Sequence, residues 1–245
     1  MRKALLLLVV LAGFLAGCEN KYKDPDPQAM GYEYFPLEIG DYRIYDVTDI
    51  RFTSNVGDTT RFQMRERVDT SFTDQTNQLV YKVVRSIRFN PNSAWIDDSV
   101  LVAAKLDNMV LLTKNNTKYV KLVFPVKEGG EWIGDLYNDR IAGGGRQSKI
   151  RNDKEVYTYS SVGRPYQEWG LNYPNTITVS QDSTSSTVIY DKRQEVYAEA
   201  VGLIYRLANR LRYCEDTESK QCSYGTDYIV SGHERHEVLV SHGKM

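Results

Sequence analysis

The sequence predicts a mainly β protein. It expects a single antiparallel domain, a β-sandwich or a strongly curved half-barrel, placed after a signal peptide. Three observations predict this. Apolar residues alternate with polar ones over long stretches, the period of strands with one buried face. The chain carries 18 tyrosines among many Val and Thr, residues that suit a pleated surface. Pairs that tolerate positive φ, Asp107-Asn108 and Asn115-Asn116, separate apolar runs where hairpin turns are needed.

The elements follow in chain order. Arg2 and Lys3 form a short basic start, and Ala4 to Leu15 is an apolar run. It is shorter than the roughly 20 residues a spanning helix needs, and it ends on small residues, so residues 1–17 read as a signal peptide. Leu15-Ala16-Gly17-Cys18 resembles the bacterial lipobox. That resemblance implies diacylglycerol on the Cys18 thiol, cleavage before Cys18 and an N-acyl group on the new amine. Such lipid anchors hold a protein to a membrane without a spanning helix. Residues 18–31 lack hydrophobic periodicity and carry Pro25 and Pro27, so they read as a lipidated tether. Residues 32–245 then form the β-rich domain.

Within it, Phe62, Met64 and Val68 alternate with Arg61, Gln63, Arg65, Arg67 and Asp69. Leu79, Tyr81, Val83, Ile87 and Phe89 share one face of the next run. Ile96, Val100, Val102, Ala104 and Leu106 are expected to form the apolar face of the run after that. Trp95 to Phe124 reads as a three-stranded meander. Residues 150–159, 176–180, 187–190 and 228–240 read as further strands. Residues 195–214 stay open between strand and helix: Val196, Ala200, Leu203, Leu207 and Leu211 have helical spacing, while Tyr197, Val201, Leu203, Tyr205 and Leu207 nearly alternate. A weak internal repeat links Phe35-Pro36-Leu37-Glu38-Ile39-Gly40 to Phe124-Pro125-Val126-Lys127-Glu128-Gly129. It reads either as two similar turns, the simpler account, or as a duplicated half-domain.

Charge and cysteines bound the function. Without residues 1–17 the chain holds 29 basic and 32 acidic residues, a net charge of −3, which gives no reason to expect a nucleic-acid partner. With Cys18 lipidated, Cys214 and Cys222 are an even pair in an oxidising compartment, and they read as a disulfide.

No stretch carries catalytic spacing. His233-Glu234-Arg235-His236 brings its second His one residue too early for a zinc-protease motif, and a strand would turn the two imidazoles to opposite faces. No metal site or cofactor beyond the covalent lipid is expected. Gly143 to Lys149 lacks the Gly-Lys-Ser/Thr ending of a phosphate loop and reads as a plain loop. There is no Gly-x-Ser-x-Gly elbow, so no catalytic residue is assigned. Tyr157, Tyr159, Tyr166, Trp169 and Tyr173 fall close together among polar residues, a pattern that suits a sugar-stacking or protein-binding surface as well as the tyrosines of a sheet core.

Several segments resemble a group of uncharacterised Bacteroidota lipoproteins, whose members read Phe-Pro-Leu-x-x-Gly-x-x-Trp-x-Tyr soon after the lipidated cysteine. Phe35, Pro36, Leu37, Gly40 and Tyr45 match, while Arg43 stands where the Trp would be. Tyr197 to Arg206 and the C-terminal Ser231 to Lys244 also resemble that group, with Ala200 in place of a Gly. The resemblance implies a β-rich fold, tipping residues 195–214 toward strand with a turn near Leu207. It also implies an outer-membrane location facing the cell surface or the periplasm. Asp58-Thr59-Thr60, Asp98-Ser99-Val100 and Asp182-Ser183-Thr184 resemble the O-glycosylation pattern of that phylum, which implies Thr59, Ser99 and Ser183 as acceptors. The expectation is a lipid-anchored envelope protein with a non-catalytic binding or accessory role, partnered by the membrane and another envelope protein. Two alternatives stand beside it: a carrier of lipid or other apolar ligand on a curved sheet, and a surface glycan-binding protein or glycan-active enzyme.

Overall fold

The computed structural model describes residues 26–138, 154–216 and 222–245. The signal peptide, Cys18 and the Gly143–Lys149 loop lie outside the described residues. A short helix α1 (Pro27–Met30) and a 3-10 turn (Tyr32–Tyr34) lead into twelve strands. These are β1 (Asp41–Thr53), β2 (Val56–Thr73), β3 (Leu79–Arg88), β4 (Ile96–Lys105), β5 (Met109–Lys114), β6 (Thr117–Val123), β7 (Glu131–Ile133), β8 (Val156–Tyr166), β9 (Tyr173–Ser185), β10 (Ile189–Ala198), β11 (Gly202–Tyr213) and β12 (Ile229–Lys244).

All twelve belong to one antiparallel sheet in the order β6-β5-β4-β3-β2-β1-β12-β11-β10-β9-β8-β7. Every neighbour but one pair is consecutive in sequence, and that pair, β1 with β12, joins the two ends of the domain over thirteen residues of β1. Of the two architectures expected, the single continuous sheet is the curved half-barrel, and it nearly closes. The outer strands β6 and β7 are bridged by the Val120 amide donating to the Gly134 carbonyl at 2.8 Å. The Trp132 indole N–H also donates to the Val120 carbonyl at 2.9 Å, and Asn138 reaches both the amide and the carbonyl of Lys118. Gly134 sits against the face of the Tyr157 ring, where a Cβ would collide. Closure of this kind removes the exposed edges that an open sheet would offer for aggregation.

Residues 195–214 are a hairpin, β10 to β11. Its turn falls at Ala200 rather than near Leu207, with Ala200 at φ 59° and Gly202 at φ 89°. The flanking strands β9 and β12 supply ladder bonds that an isolated helical pattern does not foresee. The β5–β6 turn holds Asn115 and Asn116 at φ 50° and 58°, as the sequence predicts. In β4 the inner apolar face is Leu101 and Ala103, both buried, while Ile96 and Val100 of the expected face are exposed and only Ala104 of it is buried. The expected face is thus largely the outer one. Val100 to Ala104 is apolar on both sides, so alternation alone has no parity there, and pairing with β3 decides it.

The internal repeat takes on meaning in this topology. Phe35-Pro36…Gly40 precedes β1, and Phe124-Pro125…Gly129 precedes β7. Each copy therefore opens a six-stranded run, β1–β6 or β7–β12, and each turns on a glycine with positive φ. This placement fits a duplicated half-domain as well as two similar turns, and the two segments differ in that Phe124-Pro125 alone is cis.

The last residues of the expected tether are folded. Asp26 caps α1 through a 3.1 Å bond from the Gln28 amide. The Met30 carbonyl accepts from the Val126 amide at 3.1 Å. Residues 30–37 then close one end of the barrel: Tyr34 and Leu37 are buried, and Phe35 packs on the core. The Lys105 ammonium pins this plug by donating to the Tyr32 and Phe35 carbonyls at 2.8 and 2.9 Å. Arg43 pins it from the other side through the Pro36 and Val201 carbonyls.

Candidate functional site

Strand alternation turns one side chain in two toward the barrel interior. Near the plug the interior is aromatic and aliphatic, with Tyr45, Tyr159, Ile177, Val179, Tyr197 and Leu122 buried together. Further along the same strands it becomes charged. Glu195 of β10 accepts from the Lys121 ammonium at 2.6 Å, from Arg206 at 2.8 Å and from the Tyr197 hydroxyl at 2.6 Å. Arg206 also donates to Glu237 at 2.6 Å, and Glu237 accepts from Arg235 at 2.7 Å. Arg235 continues the chain to Asp49 at 3.0 Å. Glu66 pairs with Arg85, and Arg193 binds Glu155 and Asp191, each at 2.9 Å.

The electrostatics follow from this pairing. Burial pushes the Glu195 carboxyl up, but the Lys121 and Arg206 charges outweigh it and hold the group down to about 2. Glu237 is likewise pushed up by burial and brought down to about 2 by Arg206, Arg235 and Arg85. Burial lowers the Lys121 ammonium, against the pull of Glu195. These carboxylates are ionised acceptors already saturated by cations. A general acid needs a carboxyl poised near the working pH, and this pairing pushes the opposite way. One carboxyl does rise among the described residues: Glu33, within the plug, through its hydrogen bond to Glu199, its desolvation and the Glu199 charge. Its side chain is exposed.

A cavity of about 40 Å³ lies between the plug and the charged layer, lined by Phe35, Leu37, Leu101, Tyr197, Lys121 and Arg206 among others. That volume takes a few waters.

The five aromatics expected to form one binding surface are divided by the barrel wall. Tyr157 and Tyr159 face inward, 2% and 1% exposed, and pack on Trp132. They are core residues, because β8 pairs with β7 and β9 so that both rings fall on the inner face. Tyr166 and Trp169 lie on the outside, where the β8–β9 loop folds over β11 and β12. There Tyr166 stacks on Tyr205 with ring centres 6.0 Å apart, and Trp169 stacks on Tyr205 at 5.7 Å and 17°. Trp169 also lies 4.9 Å from the His236 ring. Tyr173 starts β9, opposite Tyr166. Burial first, then the Glu168 and Glu234 carboxylates, push the Tyr205 phenol up to about 12, so it stays a hydroxyl. It bonds His236 Nδ1 at 3.0 Å, and His236 Nε2 bonds Glu234 at 2.7 Å. Tyr205 and His236 were not assigned to any surface from sequence. They sit on different strands, and only the β11–β12 register brings them together.

The histidines divide as alternation predicts: His233 faces Asp49 inside the barrel at 3.0 Å, and His236 faces outward. Among the described residues no group of three or more His, Cys, Asp or Glu is placed to hold a metal ion. Cys214 and Cys222 are joined, with Cα atoms 6.0 Å apart, within the span a disulfide bridges. Thr59 and Ser183 are exposed and Ser99 is half-buried.

No protein-family model matches the chain, and no curated protein matches it. Two solved structures are similar to it at low scores. One is a protein from Bacteroides fragilis NCTC 9343 described as exported and YmcC-like in fold, with 10% identity, a TM-score of 0.41, and 86% of this chain and 98% of that one covered. The other is a protein from Parabacteroides distasonis ATCC 8503 described as a lipoprotein, with 11% identity, a TM-score of 0.38 and the same coverage. Likeness at this level assigns no function to the chain.

Proposed function

We propose that the protein is a lipid-anchored envelope protein with a non-catalytic binding or accessory role, working through its outer surface. The observation that carries the reading is the filled interior. The plug closes one end, aromatic side chains fill the adjoining half, and mutually neutralising ion pairs occupy the rest. Binding is then left to the outer face. The carrier alternative gains no support from the described residues, whose cavity beside the plug takes waters and not an acyl chain.

The anchor is supported by Leu15 to Cys18. Eight residue steps lead from Cys18 to the α1 cap at Asp26, a reach of about 27 Å when extended. The plugged end would therefore lie near the membrane, with the Asn115-Asn116 turn and the Cys214–Cys222 bridge at the far end.

Photo-crosslinking side chains placed in cells at outward Val100 and Val240, and at Lys114 on the inner side of β5, test the reading. Capture of an envelope component at the outward positions is expected. Capture at Lys114 alone, or at no outward position, would sink it. Cys18→Ser is expected to move the protein from the membrane pellet to the soluble fraction.

A further inference from the structure

The β8–β9 loop holds Trp169 at φ 58° and Gly170 at φ 79°. Bulky side chains avoid the left-handed region, and a residue kept there at a cost points to a use. Asn or Gly would make the same turn without strain. The strain displays the indole, which is 56% exposed, while Tyr205 beneath it is 4% exposed and Tyr166 is 9%. The stack is held from below: Tyr205 bonds His236, His236 bonds Glu234, and Glu234 also accepts from the Asn209 amide at 2.8 Å. Three exposed polar side chains border the indole in the loop. Gln167 and Asn172 bond only each other among the described residues, at 3.3 Å, and Glu168 reaches the Tyr166 hydroxyl at 3.4 Å. These are long, weak bonds on amide and carboxylate groups with spare donors and acceptors.

We propose that Trp169 is a stacking platform for one pyranose ring of a glycan, with Gln167, Glu168 and Asn172 bonding its hydroxyls. The proposal rests on the outer-surface reading above and names its ligand. A sugar presents an apolar C–H face to an aromatic ring and hydroxyls around its rim, and the loop offers that pairing in the same order. A single indole also matches one sugar ring in size, whereas a stable protein interface needs about 1,000 Å².

The test uses the whole mature chain as the Cys18→Ser variant, with saturation-transfer NMR on maltotriose, cellotriose, mannotriose and chitotriose. At least one is expected to receive saturation at its ring C–H protons. Trp169→Ala should weaken that binding about tenfold, in line with the loss of one aromatic stack, and Trp169→Phe should retain most of it. No transfer from the unsubstituted platform to any of the four overturns the proposal. So does equal binding by all three forms, or a change in oligomeric state on Trp169→Ala without a change in sugar binding. Capture at Val100 and Val240 would meanwhile leave the outer-surface reading standing, so the two can fail separately.

Discussion

Glu195 shows how the interior is held at the scale of single residues. It is 3% exposed and takes bonds from Lys121, Arg206 and Tyr197. Removing one partner from a buried ionic group strands the rest, which costs about 3–5 kcal/mol, whereas replacing the whole group with apolar residues of like volume is near neutral. Glu195→Gln is therefore expected to destabilise the protein by about 3–5 kcal/mol in urea unfolding. The double change Lys121→Met, Glu195→Leu, which leaves Arg206 on Glu237, should recover most of that loss. If the double change were as damaging as the single one, the layer would owe its stability to something other than mutual neutralisation.

Two predictions belong to the elements. The plug meets the β10–β11 turn through Glu33 and Glu199, and Glu33 is raised by that neighbour. A raised carboxyl adds stability below its unfolded value, and that contribution is lost as pH rises through the folded value. Above that value the ionised Glu33 is repelled by the Glu199 charge. Glu33→Gln should thus raise the melting temperature at pH 7, and the gain should fade as the pH is lowered toward 4. An equal gain at both pH values would exclude the Glu33–Glu199 repulsion as its cause. The disulfide closes a short loop between β11 and β12, with a sequence separation of 8. On the loop-entropy account, Cys214→Ala with Cys222→Ala should cost about 2–3 kcal/mol, read by denaturant midpoint, with the β10–β11 ladder intact by circular dichroism.

At the scale of the whole molecule, the charged layer joins strands far apart in sequence. Lys121 of β6, Glu195 of β10, Arg206 of β11, Glu237 and Arg235 of β12, and Asp49 of β1 form one connected chain. Its acids give the barrel a distinct acid limit. Glu195 and Glu237 are both held down to about 2 against an ordinary value of 4.5. A depressed carboxyl contributes stability that is fully present above the unfolded value and lost as pH falls through the folded one. Stability should hold to about pH 4.5 and then decline steeply toward pH 2, with each carboxylate worth about 3 kcal/mol over that window. An acid titration followed by tryptophan fluorescence tests this, since Trp132 lies buried in the same interior. A protein still fully folded at pH 2 would refute the assignment.

The sequence by itself determined the local terms. Alternation in Phe62 to Val68, the Asn115-Asn116 turn, the opposed faces of His233 and His236, and the Cys214–Cys222 pair all depend on neighbours a few residues apart, and the structure follows them. The tertiary structure decided whatever depends on register between distant strands. It made residues 195–214 a hairpin because β9 and β12 flank them with ladder bonds. It chose the buried face of β4, which is apolar on both sides, and it folded Pro27 to Leu37 into a plug that a Pro-bearing stretch did not announce. It also sent Tyr157 and Tyr159 inward and left Trp169 outside on Tyr205 and His236. The physical reason is parity: alternation says that two faces differ, and only the closing of the barrel says which of them is inside.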